Sequence, residues 1–186
     1  LTNTTGAANT ASGYLALTVN TTGSSNAAFG KDSLGANTTG NANVAVGKDA
    51  LKANTTADNN TAVGIDALTA NTTGHSNVAI GANALLTSTT RLGNTAVGFN
   101  AAKVTDTTGI VAVGYKAMEA NTTGYDAVAV GASSLLANTT GHSNTAVGFS
   151  ALAANTTGAD NTAVGNSALL ANTTGTRNTV VGVDSS

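Results

Sequence analysis

The chain has 186 residues, of which 41% are hydrophobic and 9% are charged, and its formal net charge is −2. This balance provides neither the basic patch of a nucleic-acid-binding protein nor a polybasic segment for anionic membranes. The absence of cysteine excludes a disulfide framework and thiolate chemistry, and without a run of about eighteen apolar residues we expect no membrane insertion.

A repeat of seventeen residues occupies the whole chain. Each repeat has a glycine after a short apolar segment such as "TAV" or "VAV", and only Gly98 and Gly114 are sixteen rather than seventeen residues apart. Repeats of this length are too short for helix pairs or propeller blades but fit one coil of a parallel β-solenoid. We therefore predict an all-β parallel β-solenoid (β-roll) of about eleven coils, with residues 1–186 as a single array. The predicted turn glycines are Gly13, Gly30, Gly47, Gly64, Gly81, Gly98, Gly114, Gly131, Gly148, Gly165 and Gly182.

Each coil is predicted to contain two short strands. The first is the "TAV" segment, as in Thr61–Val63, and the second is the "ALxA" segment, as in residues 67–70. β-Branched residues, alternation and Gly/Asn punctuation are typical of strands. Since successive side chains of a strand point to opposite faces, one set from each strand is assigned to the interior. The predicted inner ladders are Val63, Ile80, Val97, Val113 and Val130 from the first strand, and Leu51, Leu68, Leu85, Met118, Leu135, Leu152 and Leu169 from the second.

The alanines between the β-branched residues are then predicted to face outward. A solvated column is free to carry long polar residues, so uniformly small apolar residues indicate a surface against which another molecule packs. The alternative is that these alanines face water and reflect repeat duplication alone. Phe99, Tyr115 and Phe149 follow the turn glycine and suggest inter-chain packing or a sugar-stacking platform. With them, the predicted interface of a homo-oligomer of parallel rods contains Ala45, Ala62, Ala79, Ala96, Ala112, Ala129, Ala146 and Ala163.

The "NTT" triplet recurs at a corner of the coil. Stacked Asn amides can hydrogen-bond from coil to coil, which predicts a ladder. The triplet also matches the N-glycosylation acceptor pattern, but glycans on coils about 4.8 Å apart would crowd one another. The Thr columns leave an ice-binding protein as an alternative function. The predicted ladder contains Asn20, Asn37, Asn54, Asn71, Asn121, Asn138, Asn155 and Asn172.

Neither end of the array has the polar capping repeat that solenoids use for solubility. The last residues would also continue in register with the first residues of another copy. We therefore expect either a piece of a longer array or a subunit that stacks end to end into a filament.

The segments Asn43–Gly47 ("NVAVG") with Ala50 and Asn77–Gly81 ("NVAIG") with Ala84 resemble the head repeats of YadA-type trimeric autotransporter adhesins. They are also similar to Asn/Thr/Gly-rich repeats of trimeric phage tail fibres and bacterial surface proteins, and the pattern covers every repeat. The resemblance implies a left-handed β-roll in a homotrimer at the cell surface, with surface glycans or a host receptor as partners. The familiar head repeat is shorter than seventeen residues.

No arrangement of reactive residues predicts catalysis. His75 and His142 lie four coils apart, about 20 Å, which is too far to share a metal. Asp32, Asp49 and Asp66 occupy one column, but the signature of calcium-binding β-rolls is missing. We therefore predict no enzyme, no metal and no cofactor. The predicted function is a structural or adhesive extracellular fibre module, with an ice-binding protein or a receptor- or glycan-binding tail-fibre shaft as alternatives.

Overall fold

The computed structural model describes residues 2–185 and confirms the predicted class, an all-β parallel β-solenoid. Eleven strands of three residues each form one sheet in chain order. They are β1 (Thr10–Ser12), β2 (Ala27–Phe29), β3 (Val44–Val46), β4 (Thr61–Val63), β5 (Val78–Ile80), β6 (Thr95–Val97), β7 (Val111–Val113), β8 (Val128–Val130), β9 (Thr145–Val147), β10 (Thr162–Val164) and β11 (Thr179–Val181).

Each strand pairs in parallel with the next, so equivalent residues lie directly above one another. Thr61 pairs with Val78 seventeen residues later, whereas Thr95 pairs with Val111 across the single sixteen-residue step. All eleven turn glycines have φ between 131° and 147°, a region that only glycine adopts without strain. A Cβ at Gly64 would also lie 2.6 Å from the carbonyl carbon of Gly81. The turn glycines therefore stack in a straight column, which we call the glycine file, and they allow the coils to approach each other closely there.

The prediction of a second strand in each coil is wrong. Residues 67–70 form turns, and Asp66 and Leu68 have φ of 59° and 50°. The left-handed region costs a residue such as leucine about 1–2 kcal/mol. The Leu68 amide nevertheless donates to the Ala84 carbonyl at 3.0 Å, and its side chain is buried. Hydrogen bonds between coils thus hold a backbone that must turn sharply to close so short a circuit.

The predicted sidedness of the strands is also wrong. The eight alanines assigned to the interface (Ala45, Ala62, Ala79, Ala96, Ala112, Ala129, Ala146 and Ala163) are each 0% exposed and lie in the core. The residues assigned to the first inner ladder (Val63, Ile80, Val97, Val113 and Val130) point outward instead, and Ile80 and Val130 are exposed. Alanines of the turn segment such as Ala50 and Ala67 are buried too. The alternation of a strand fits either orientation, and the leucines decide it, because they fill the interior and leave space only for a methyl group.

The core is a narrow column that runs the length of the array. Leu51, Leu68, Leu85, Met118, Leu135 and Leu152 are fully buried and Leu169 nearly so, and they pack against the strand alanines. In the part of the chain that the structure describes, no helix has the length and apolarity needed to cross a bilayer.

Candidate interaction surface and its framework

The Asn residues of the "NTT" triplets form a ladder of amides at one corner. The Asn37 amide donates one hydrogen to the Asn20 Oδ1 atom at 2.9 Å and the other to the Gly40 carbonyl at 3.0 Å. Asn54 repeats this pattern on Asn37 at 2.8 Å. These amides are buried, so water does not compete for their hydrogen bonds, which fix the spacing of the coils.

A second Asn ladder, which the sequence reasoning missed, precedes each strand. The Asn43 amide group donates to the Ala57 carbonyl at 2.7 Å, while the Asn26 Oδ1 atom accepts the backbone N–H of Asn43 at 3.0 Å. The signal was present in the sequence, since this column repeats with the same period as the first. Two residues interrupt it, Ile110 and Ala127, and both are fully buried. The members are Asn9, Asn26, Asn43, Asn60, Asn77 and Asn94, followed by Asn144, Asn161 and Asn178.

The hydrogen bonds of the first ladder leave no place for N-linked glycans at its buried positions. A glycan replaces one hydrogen of the Asn side chain, and both hydrogens of Asn37 are engaged. The hydroxyl of the first Thr is also engaged in every triplet except the last, as Thr38 Oγ1 donates to the Thr55 carbonyl at 3.0 Å. The second Thr of each triplet is exposed and forms a rank that is interrupted between Thr90 and Thr123.

The outer face of the sheet carries a continuous apolar column. From β2 to β11 the third strand residue is Val, Ile or Phe, and each points outward. Beside it lies the column that follows the turn glycines, in which Ile65 is 54% exposed and Phe149 is 57% exposed. We call these two columns the apolar strip. Its main members are Val46, Val63, Ile80, Val97, Val113, Val130, Val147 and Val164 with Ile65, Phe99, Tyr115 and Phe149.

The aromatic residues of the apolar strip are on the outside, as the sequence suggested. Phe99 and Tyr115 stack with ring centroids 5.6 Å apart and an interplanar angle of 14°. The Lys116 Nζ atom lies 5.6 Å from the centroid of Tyr115 and pairs with Glu119 at 3.3 Å. An exposed apolar surface that runs along a whole molecule is typical of a protein interaction site.

The charged residues cluster beside the early coils. Lys48 and Lys52 hold the Asp49 carboxylate at 2.8 and 2.9 Å. The hydrogen bond from Lys48 is the main cause that holds the pKa of Asp49 below its ordinary value, with a smaller contribution from Lys52, while burial opposes both. The same contacts raise the pKa of each lysine. Lys31 and Lys48 occupy the glycine-following column, so the apolar strip is flanked by charge at β2 and β3 and free of it along most of its length.

The other predicted polar residues are not gathered into a site. His75 Nδ1 accepts the backbone N–H of Asp58 at 3.0 Å, and His142 stacks on Tyr125 with centroids 4.8 Å apart. Asp32 contacts Lys52 at 3.8 Å at the rim of an open hollow of about 360 Å³ that Leu15 and Gly35 also line. Within residues 2–185, no three His, Asp or Glu side chains come together as metal ligands would.

Compared with known proteins, the chain matches no family model, no curated protein and no solved structure.

Proposed function

We propose that this protein is a structural rod module that associates side by side with copies of itself, as part of an extracellular fibre or adhesive surface. Eleven coils at about 4.8 Å each give a rod about 50 Å long. Two Asn ladders and a continuous hydrogen-bonded sheet make such a rod stiff. The extracellular location rests on the resemblance of the repeats to adhesin heads.

The apolar strip is the observation that carries this proposal. A monomeric soluble protein rarely exposes a contiguous apolar patch larger than a few hundred Å². Strands that are apolar on both faces are usually covered on both, and here the inner face is covered by the leucine column. A second rod is the partner that matches a straight strip of the same length and period.

The molar mass in solution tests the proposal. We expect sedimentation and light scattering to give a multiple of 17.9 kDa that decreases on dilution. Val130→Lys or Phe149→Lys places a charge in the apolar strip and should produce monomers. Thr140→Lys, on the exposed Thr rank, is the matched control and should leave the mass unchanged. A wild-type protein that stays monomeric at millimolar concentration would refute self-association, and a mass of three chains would agree with the trimer that the resemblance implies.

The exposed Thr rank favours ice binding as the second candidate. One Thr hydroxyl per coil is presented at a regular spacing of about 4.8 Å along the rod. The interruption between Thr90 and Thr123 and the engagement of the neighbouring Thr hydroxyls leave only a single broken rank. Thermal hysteresis that disappears in Thr140→Lys but persists in Val130→Lys would establish this function in place of the structural one.

A further inference from the structure

The glycine-following column of the apolar strip contains large and small side chains in an order that fits an antiparallel copy of itself. Large residues of one copy then face small residues of the other. Large side chains stand at β4 (Ile65), β6 (Phe99), β7 (Tyr115) and β9 (Phe149), and alanines stand at β5 and β8. All four large side chains are between 45% and 57% exposed. The column is therefore a series of knobs separated by two gaps.

Each gap has room for one side chain. Ile65 and Phe99 are two coils apart, about 10 Å, and only Ala82 lies between them. Tyr115 and Phe149 bound the second gap in the same way above Ala132. Since Phe99 and Tyr115 stack on each other, each turns its other face toward a gap.

We propose that two copies of the chain pair antiparallel through the apolar strip, around a two-fold axis at Tyr115. This inference rests on the side-by-side association proposed above and adds its orientation. With that axis, Ala82 faces Phe149 of the second copy, and Phe99 faces Ala132. Every gap receives an aromatic ring, and the two Tyr115 rings meet on the axis.

Most of the remaining strip residues are compatible with the same axis, and the exception is Ile65, which faces Asn166. The strand column pairs Ile80 with Val147 and Val97 with Val130, which are β-branched residues of similar size. In a parallel pair with a two-fold axis along the rods, the glycine-following column instead faces the first strand residue of the same coil. Phe99 would then face Thr95 and Ala82 would face Val78, so the bulk would be uneven from coil to coil.

Area and charge support this pairing. Overlap from β3 to β11 makes a contact about 43 Å long, and with a width of about 15 Å the pair buries about 1,300 Å², within the range of stable interfaces. Lys31 lies beyond the overlap. Lys48 lies at its end and pairs with Asp49 at 2.8 Å, and Lys116 beside the axis is neutralised by Glu119 at 3.3 Å. No unpaired charge is thereby buried at the centre.

A size-swap cycle tests the orientation. Ala132→Phe alone sets two phenylalanines against each other, and Phe99→Ala alone leaves a gap, so each should weaken dimerisation at least about 10-fold. The double variant Phe99→Ala with Ala132→Phe exchanges knob and gap on both copies and should return to within about 3-fold of the wild type. Both positions are on the surface, so circular dichroism should show the same fold in all four proteins.

Cysteine cross-linking gives an independent measurement, since the chain has no cysteine of its own. Tyr115→Cys should form a covalent dimer with a short bis-maleimide, because a residue on the axis meets its own copy across sheet faces about 10 Å apart, which is too far for a direct disulfide. Thr73→Cys is the control and should remain monomeric on denaturing gels. A mixture of Ala82→Cys and Phe149→Cys chains should give mixed dimers.

The outcomes separate the two proposals. Wild-type protein that is monomeric overturns both. An oligomer that Val130→Lys dissociates, but that shows neither size-swap rescue nor a Tyr115→Cys cross-link, overturns the antiparallel pairing alone. Cross-links between Thr95→Cys and Phe99→Cys chains would show parallel rods instead.

Discussion

Repairing the break in the first Asn ladder should stabilise the protein. The ladder is interrupted where Ser88 and Thr105 replace Asn in two consecutive coils. Asn71 Oδ1 and Ser88 Oγ are buried without a hydrogen-bond partner. Ser88→Asn alone gives Asn71 a donor but moves the unpaired acceptor one coil further, because the Thr105 hydroxyl already donates to the Asn121 carbonyl at 3.1 Å. Only the double variant Ser88→Asn with Thr105→Asn makes the ladder continuous.

The magnitude follows from the unpaired acceptor. A buried polar atom without a partner costs about 1–3 kcal/mol, so we expect the double variant to gain about 2 kcal/mol. For a chain of this length that corresponds to an increase in Tm of about 4–8 °C. Ser88→Asn should gain less than about 1 kcal/mol, and the two substitutions should couple by about 1 kcal/mol.

Thermal and urea unfolding followed by circular dichroism measure these differences. Ser88→Ala is the control, since it removes the unpaired hydroxyl but leaves Asn71 without a donor, and it should change stability by less than about 1 kcal/mol. If the double variant is no more stable than the wild type and Ser88→Ala is destabilised, a bound water already serves both atoms. The premise that the ladder is broken at Ser88 would then be refuted.

Three further predictions concern the ion pairs, the glycine file and the sidedness of the strands. The lysine partners of Asp49 lower its pKa, so the stabilisation of the folded protein by this carboxylate is present above the pKa of an unfolded Asp and is lost as the pH falls through the lowered value. Asp49→Asn should therefore flatten the dependence of Tm on pH below about 5. Gly131→Ala should lower the free energy of unfolding in urea by about 3 kcal/mol or more, since φ is 136° and the new Cβ meets the Gly148 carbonyl. The control Gly93→Ala, with φ of 69° and open space around it, should cost about 1 kcal/mol. Equal losses would contradict the close approach of the coils. Ala62→Thr should lower the free energy of unfolding by about 2–4 kcal/mol, by overpacking and by burial of a hydroxyl. The outward Val63→Thr should cost less than about 0.5 kcal/mol. The reverse order would favour the prediction from sequence that the strand alanines face outward.

The period of the sequence was enough to predict the fold class, the leucine column and the first Asn ladder, because stacked coils place equivalent positions of the repeat directly above one another. Strand orientation could not be read in the same way. A three-residue strand such as Thr61–Val63 has one central side chain and two flanking ones, and alternation alone does not say which set faces inward. The left-handed backbone of Leu68 was equally hidden, since nothing in leucine's own preferences favours it.

The candidate surface was predicted in part. Phe99, Tyr115 and Phe149 are exposed at one corner as expected, because their size and place after a turn glycine leave no space for them inside. The alanine half of the predicted interface was wrong for a complementary reason. Small side chains are tolerated both at tight interfaces and in narrow cores, and only the position of the leucines distinguishes the two.

The narrow interior also explains why the outside of the rod is apolar. A coil of seventeen residues encloses one leucine and small alanines, so the larger first and third residues of a strand such as Thr61–Val63 must point outward, and only the last strand, β11, has a larger central residue, Val180. Strand formation does not require those residues to be apolar, because Thr61 and Thr95 fill the first outward position of β4 and β6 with the same branched shape as valine. The third outward position nevertheless holds Val, Ile or Phe in every strand from β2 to β11. An apolar third position that neither the core nor the strand requires is what we expect if a second apolar strip covers it, as proposed above.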